Sequence, residues 1–126
     1  MPLVQLEVVK GRSSSEKKAL FDAVHEALVD AFKIPDDDRV QRLIEYETDD
    51  FDAPSATLTI VTITMFPGRS TDAKRDLYKR IVERFDGLGI PGTDVMIVLD
   101  ERPLEDWGIR GGQAASDIDL GFNLDV

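Results

Sequence analysis

Cysteine is absent from this 126-residue chain, which removes thiol catalysis, disulfides and cysteine-ligated zinc and fits a cytoplasmic protein. Histidine is nearly absent too, with His25 alone, so a histidine-built metal centre has too few ligands. Basic residues are scarce: 15 Lys and Arg against 25 Asp and Glu give a net charge of −10. That surface repels nucleic acid and anionic membranes, and an anionic substrate would need its own local arginines. Long hydrophobic runs are lacking as well. No stretch approaches the ~20 apolar residues of a bilayer span, and the N-terminus lacks the basic-then-apolar pattern of a signal peptide. What remains, 42% apolar and 32% charged residues, suits one folded domain over residues 1–126.

The chain holds an internal repeat. VVKGRSSSEKKALFDAV at 8–24 resembles TMFPGRSTDAKRDLYKRIV at 64–82, with Gly11-Arg12-Ser13 matching Gly68-Arg69-Ser70. Further on, Ile34-Pro35 matches Ile90-Pro91, each before a turn and an apolar run. The offset is 57 and then 56, the mark of a duplicated supersecondary unit. The repeats are assigned to residues 2–46 and 57–101, followed by a tail at 102–126.

Each unit reads strand, helix, strand. Leu3 to Val9 forms the first strand, and Ser13 followed three residues later by Glu16 is a capping-box start. Ala19, Leu20, Ala23, Val24, Ala27, Leu28, Ala31 and Phe32 recur at helical spacing. Pro35 stops that helix and Val40 to Tyr46 is the second strand. In the second unit Leu58 to Met65 is rich in β-branched residues. Ser70 caps a helix carrying Leu77, Ile81, Val82 and Phe85, and Val95 to Leu99 closes the unit. The expected fold is α/β, a four-stranded mixed sheet with two helices on one face. Leu58 and Ile60 fall opposite Val61, Ile63 and Met65, so both faces want cover and an oligomer follows. In the tail Ile118, Leu120, Phe122 and Leu124 alternate with polar residues, which predicts a short hairpin or edge strand reaching a neighbour.

Pro2 follows the initiator methionine. A proline tolerates the first position of a strand, and Met removal before so small a residue would leave Pro2 a free secondary amine. This proline, the two strand–GRS–helix–strand units and the acidic turn together resemble the tautomerase superfamily. The stretches HEALVDAF-IPDDDRVQ, GRSTDAKRDLYKRIV and EDWGIRGG are most similar to its malonate semialdehyde decarboxylase-like group. The resemblance runs from Pro2 to about Gly112. It implies a trimer, a small carboxylate substrate, no cofactor and no metal.

Residue roles follow from the same resemblance. Pro2 corresponds to the catalytic base or acid, a role that suits an amine whose ammonium form is disfavoured by burial and nearby guanidinium. Asp38, in PDDDR, corresponds to the acid beside the proline. Arg69 matches a carboxylate-binding arginine, whose planar fork grips a carboxylate bidentately. Relatives carry a second arginine two or three residues earlier, where this chain has Phe66 and Pro67. Arg12 matches the carboxylate-binding arginine of 4-oxalocrotonate tautomerase, Arg110 is a further candidate, and Trp107 matches an aromatic pocket wall.

The leading expectation is a tautomerase of small 2-oxo acids of the phenylpyruvate type, because one arginine is retained rather than two. A malonate semialdehyde decarboxylase or hydratase is the alternative. A non-catalytic module binding a small anion or a protein is the second, since macrophage migration inhibitory factor shares this fold and fold does not prove chemistry. Other signals fail. GLGIPG at 87–92 fits a dinucleotide-loop pattern but follows a helix and precedes a strand, the reverse of that loop. The acids at 49, 50 and 52 lack calcium-loop spacing.

Overall fold

The computed structural model describes residues 2–126. Strand β1 (Leu3–Val9), helix α1 (Ser14–Phe32) and strand β2 (Val40–Tyr46) form the first unit, and β3 (Thr59–Met65), α2 (Thr71–Asp86) and β4 (Val95–Glu101) the second. A two-residue hairpin, β5 (Gly108–Ile109) with β6 (Gln113–Ala114), follows. The four long strands make one mixed sheet in the order β2-β1-β3-β4. β1 runs parallel to β2 and β3 parallel to β4, while β1 and β3 pair antiparallel at the centre.

That central pairing is a local two-fold axis. Leu3 pairs Thr64, and adding 57 to one and subtracting it from the other gives the pair Glu7–Ile60, which is also formed. Likewise Leu3 pairs Val40 and Ile60 pairs Met96, offsets of 57 and 56. Even an ion pair repeats: Lys17–Glu45 in the first unit and Lys74–Glu101 in the second. The repeat of the sequence is therefore a symmetry of hydrogen bonds.

Alternation along the strands divides the sheet's two faces. Val4, Leu6, Val61, Ile63 and Met65 are buried against Leu20, Val24, Leu28, Phe32, Leu77, Ile81 and Phe85 of the helices. The opposite face has no helix. There Val40, Ile44, Met96 and Val98 are 48%, 39%, 54% and 50% exposed, as the two-faced pattern of β3 predicts. No helix among the described residues is long and apolar enough to cross a membrane.

Both helices start as expected. The Ser13 side chain accepts from the Glu16 amide at 3.2 Å, and the Glu16 carboxylate accepts from the Ser13 amide at 3.0 Å, a reciprocal box. Ser70 accepts from the Ala73 amide at 3.1 Å, with no acid at the third position to return the bond. Helix α1 ends on Lys33 in the left-handed region (φ 57°), two residues before Pro35. Strand β4 runs to Glu101 rather than Leu99, because it pairs with the whole of β3.

The tail forms the short hairpin expected of it, β5 with β6, but adds no strand to the main sheet. Its last part folds back on its own chain: Leu120, Phe122 and Leu124 pack against Phe66 and Trp107, and the Ser70 amide donates to the Val126 carbonyl at 2.9 Å. The alternation that reads as an edge strand instead places three apolar side chains on one small core. Asp119, Gly121 and Asn123 make local turns between them.

The capping box carries a pH signature. Hydrogen bonds from the Ser13 backbone and side chain hold the Glu16 carboxyl below its usual range. A carboxyl lowered in the folded state stabilises above its unfolded pKa, and that contribution disappears as pH falls through the lowered value. Glu16→Gln should therefore reduce the urea midpoint at pH 7, and the difference from wild type should shrink as pH falls through the lowered pKa of Glu16. Ser13→Ala should cost about 1 kcal/mol at pH 7, measured by the same melts.

Candidate functional site

Antiparallel pairing of β1 with β3 brings the start of one to the end of the other. Pro2 is buried and directly precedes Leu3, whose partners are Val40 and Thr64. The turn holding Asp38 leads into β2 at this end of the sheet, closed by a bond from the Asp38 amide to the Pro35 carbonyl at 3.0 Å. β3 leaves it through Met65 and Phe66 into the loop carrying Arg69. Leu3 itself packs against the Phe66–Trp107 core. Pro2, Asp38, Arg69, Trp107 and Arg110 thus gather at one end.

Arg69 is the unusual residue there. It is only 7% exposed, in a class of side chain that is seldom buried without partners. Its guanidinium stacks 5.1 Å above the centre of the Phe32 ring, a favourable cation–π placement. One terminal nitrogen donates to the Phe66 carbonyl at 3.2 Å. The Nε is buried and has no partner among the described residues. Burial lowers the pKa of this guanidinium, and the charges of Glu101 and Asp38 push it back up. An unpaired buried donor beside a positive charge is a standing demand for an acceptor.

Beside these residues opens a cleft of about 130 Å³, lined by Pro35, Asp38, Phe66, Ile109, Arg110, Leu120 and Phe122. Its walls are apolar except for one carboxylate and one guanidinium. The Arg110 guanidinium is committed to the tail, donating to the carbonyls of Asp119 at 2.9 Å and Leu120 at 3.3 Å. Pro2 and Arg69 do not line the open cleft. The tail crosses close to the Arg69 loop: a Cβ on Gly68 would meet Leu124 and Asp125 atoms at 3.3 Å, and Gly68 itself takes φ +124°, so a side chain is disfavoured there twice over.

Trp107 stands behind the cleft rather than on its wall. Its ring meets Phe66 edge-on, with centroids 4.8 Å apart and planes at 68°, and its Nε1 donates to the Arg102 carbonyl at 3.2 Å. It shapes Phe66 and anchors the segment after β4. Arg12 lies elsewhere. It follows the far end of β1, roughly 20 Å or more along the strand from Pro2 at about 3.3 Å per residue, so one chain does not bring the two together.

Sequence reasoning passed over Phe32, Phe66, Ile109, Leu120 and Phe122, which form the ring platform under Arg69 and the cleft's walls. Ordinary apolar residues carry no chemical signature: helical spacing marked Phe32 and the alternation at 118–124 marked Leu120 and Phe122, but as packing residues and not as parts of a site. Glu101, whose charge acts on Arg69, lies two residues past the strand end read from the sequence, and nothing there marks it. His25, the sole histidine, is buried in α1 with its Nε2 3.3 Å from Asp36. Among the described residues no cluster of His, Asp and Glu is placed to hold a metal ion.

Comparison with known proteins gives one answer at three levels. Two family models, each described as a tautomerase enzyme, match residues 38–110 and 2–52. The probable tautomerase YusQ of Bacillus subtilis (strain 168) is 29% identical over 123 residues, covering 90% of this chain and 97% of that protein. The probable tautomerase YrdN of the same organism is 28% identical, covering 90% and 95%. Among solved structures, malonate semialdehyde decarboxylase, studied for decarboxylase and hydratase activities, superposes with a TM-score of 0.84 at 28% identity, covering 93% of this chain and 99% of that one. A fused 4-OT that forms a symmetric trimer matches with a TM-score of 0.82 at 26% identity, over 90% and 96%.

Proposed function

The chain belongs to the tautomerase enzyme family, and on that premise we propose that it interconverts the keto and enol forms of small 2-oxo acids without a cofactor. Pro2, freed of Met1, moves the proton. The observation that carries this reading is the buried Arg69 with its unpaired Nε, at the same end of the sheet as the buried Pro2. A substrate carboxylate supplies the acceptor that the guanidinium lacks.

The steps follow from charge. An α-amino group titrates near ~8 in water; burial and a neighbouring guanidinium both disfavour its ammonium form. The neutral Pro2 nitrogen takes a proton from the carbon next to the ketone, and the carbonyl oxygen becomes an enolate. The same nitrogen, now an ammonium, returns that proton to the enolate oxygen and regenerates the base. Arg69 holds the carboxylate during both transfers, and Asp38, on the cleft wall, orients the ammonium. Phe66, Leu120 and Phe122 receive the substrate's apolar body, and the tail shifts to admit it.

A second reading uses the same parts. Similarity to malonate semialdehyde decarboxylase favours loss of CO2 from a 3-oxo acid, with Arg69 orienting the departing carboxylate and a cationic Pro2 stabilising the enolate. The two are separated by assaying the enol of phenylpyruvate and malonate semialdehyde in parallel. Pro2→Ala should lower kcat by about 10²–10⁴-fold, the usual worth of a positioned acid or base. Arg69→Ala should raise KM by roughly tenfold or more, as expected for a lost charged hydrogen bond, with a smaller change in kcat. Unaltered rates in both variants, on both substrates, would remove Pro2 and Arg69 from the chemistry, and a wild type that turns over neither substrate would leave a binding protein.

We infer further that the chain forms a homotrimer, as the symmetric fused 4-OT does. The helix-free face, with Val40, Ile44, Met96 and Val98 exposed, supports it: burying such side chains is worth about 25 cal/mol per Å². Val98→Lys should convert a trimer to monomers in light scattering, and a wild-type protein of monomer mass would overturn the assignment.

A further inference from the structure

The local two-fold axis gives the sheet two comparable ends, and one of them has no role so far. Adding 57 or 56 to the residue numbers maps Pro2 onto Thr59, Asp38 onto Asp94, and Arg12 onto Arg69. At the second end Arg12 therefore stands where Arg69 stands at the first. No tail covers it. Arg12 is half-buried and makes no hydrogen bond or ion pair among the described residues.

Arg12 lines two adjoining hollows. One, of about 440 Å³, also has Val9, Thr57, Leu88 and Ile90 on its walls; the other, of about 170 Å³, lies against Ala19 and Leu20. Leu88, common to both, is 45% exposed. The other charged groups at the larger hollow are already engaged. Lys10 pairs with Glu47 at 2.9 Å, and the Glu16 carboxylate accepts from the Ser13 amide at 3.0 Å while its charge and that of Arg12 attract. The walls of the larger hollow are largely polar and Glu16 lines both. But a guanidinium without a hydrogen bond stands beside Leu88, with Ile90 on one side and Leu20 on the other, and this matches a ligand with one carboxylate and an apolar body.

The catalytic counterparts at this end are disabled. Thr59 is an internal residue, fully buried, with its hydroxyl bonded to the Thr57 carbonyl at 3.0 Å, so no free amine stands where Pro2 would. Asp94 accepts from Ser55 at 2.8 Å and also from the Thr57 hydroxyl. We propose that the Arg12 cleft is a second binding site, for a small monocarboxylate with an apolar body, and that it holds its ligand without turnover. This site does not depend on the chemistry assigned to Pro2.

The test is a titration of the full-length protein with phenylacetate, followed by the Nε–H resonances of its arginines. Two saturable sites are expected. Arg12→Ala, and equally Arg12→Gln, should weaken one by about tenfold or more and leave the other, while Arg69→Ala does the reverse. The urea midpoint of each variant shows that it is folded. If the Arg12 resonance stays still up to saturation of Arg69, or if Arg12→Gln removes both events together, the second site does not exist. If the Arg12 event persists while Arg69 never responds, this proposal stands and the substrate role of Arg69 falls.

Discussion

The antiparallel pairing of β1 with β3 is the constraint on which the molecule depends. Each repeat alone is a parallel strand pair under one helix, with its edges open. Pairing the two first strands closes the centre of the sheet, aligns α1 and α2 side by side, and sets Leu3 opposite Thr64. Because β1 begins where β3 ends, Pro2 arrives beside the glycine–arginine–serine loop of the other repeat. A parallel pairing would have put the two at opposite ends of the sheet. The chemistry proposed for this protein is a consequence of strand direction.

Symmetry supplies two equivalent ends, and the chain then makes them unequal. Only one end holds Pro2, the residue to which the amine is assigned; its counterpart at the other end is Thr59, inside the chain. The tail is spent on that same end: it packs Leu120, Phe122 and Leu124 on Phe66 and Trp107, pinned by Arg110 to its own carbonyls. At this end Arg69 is out of water, stacked on Phe32, and its Nε is left unmet. At the other end the linker between repeats engages the counterpart acid, Ser55 and Thr57 donating to Asp94. Burial, and not the identity of the arginine, distinguishes the two.

Most of this architecture was legible in the residues. The repeat offset of 57 then 56 is the sheet register itself, and the strands β1 and β2, the Ser13 box and the Ser70 cap fall where their side chains place them. Such features are local or periodic, so the sequence carries them directly. The separation of Arg12 from Pro2 follows from the strand between them, and matching Arg12 to a relative's arginine passes over it. The path of the tail's last residues, beyond the hairpin, was not legible: alternation at 118–124 marks a strip with one apolar side, and only the small core beneath it decides against a strand. The cleft walls stayed hidden for the same reason, being apolar residues whose role comes from a neighbour distant in sequence.

The central claim is that the nitrogen of Pro2 is a free amine, kept neutral by burial and by Arg69. Its most direct test is an ¹⁵N NMR titration of the protein as purified from cells, labelled at proline. The account predicts a single titrating prolyl nitrogen with its midpoint clearly below the ~8 of an ordinary α-amino group, moving upward in Arg69→Ala. A midpoint at the ordinary value, or a Pro2 nitrogen that never titrates because it remains in a peptide bond to Met1, would contradict it.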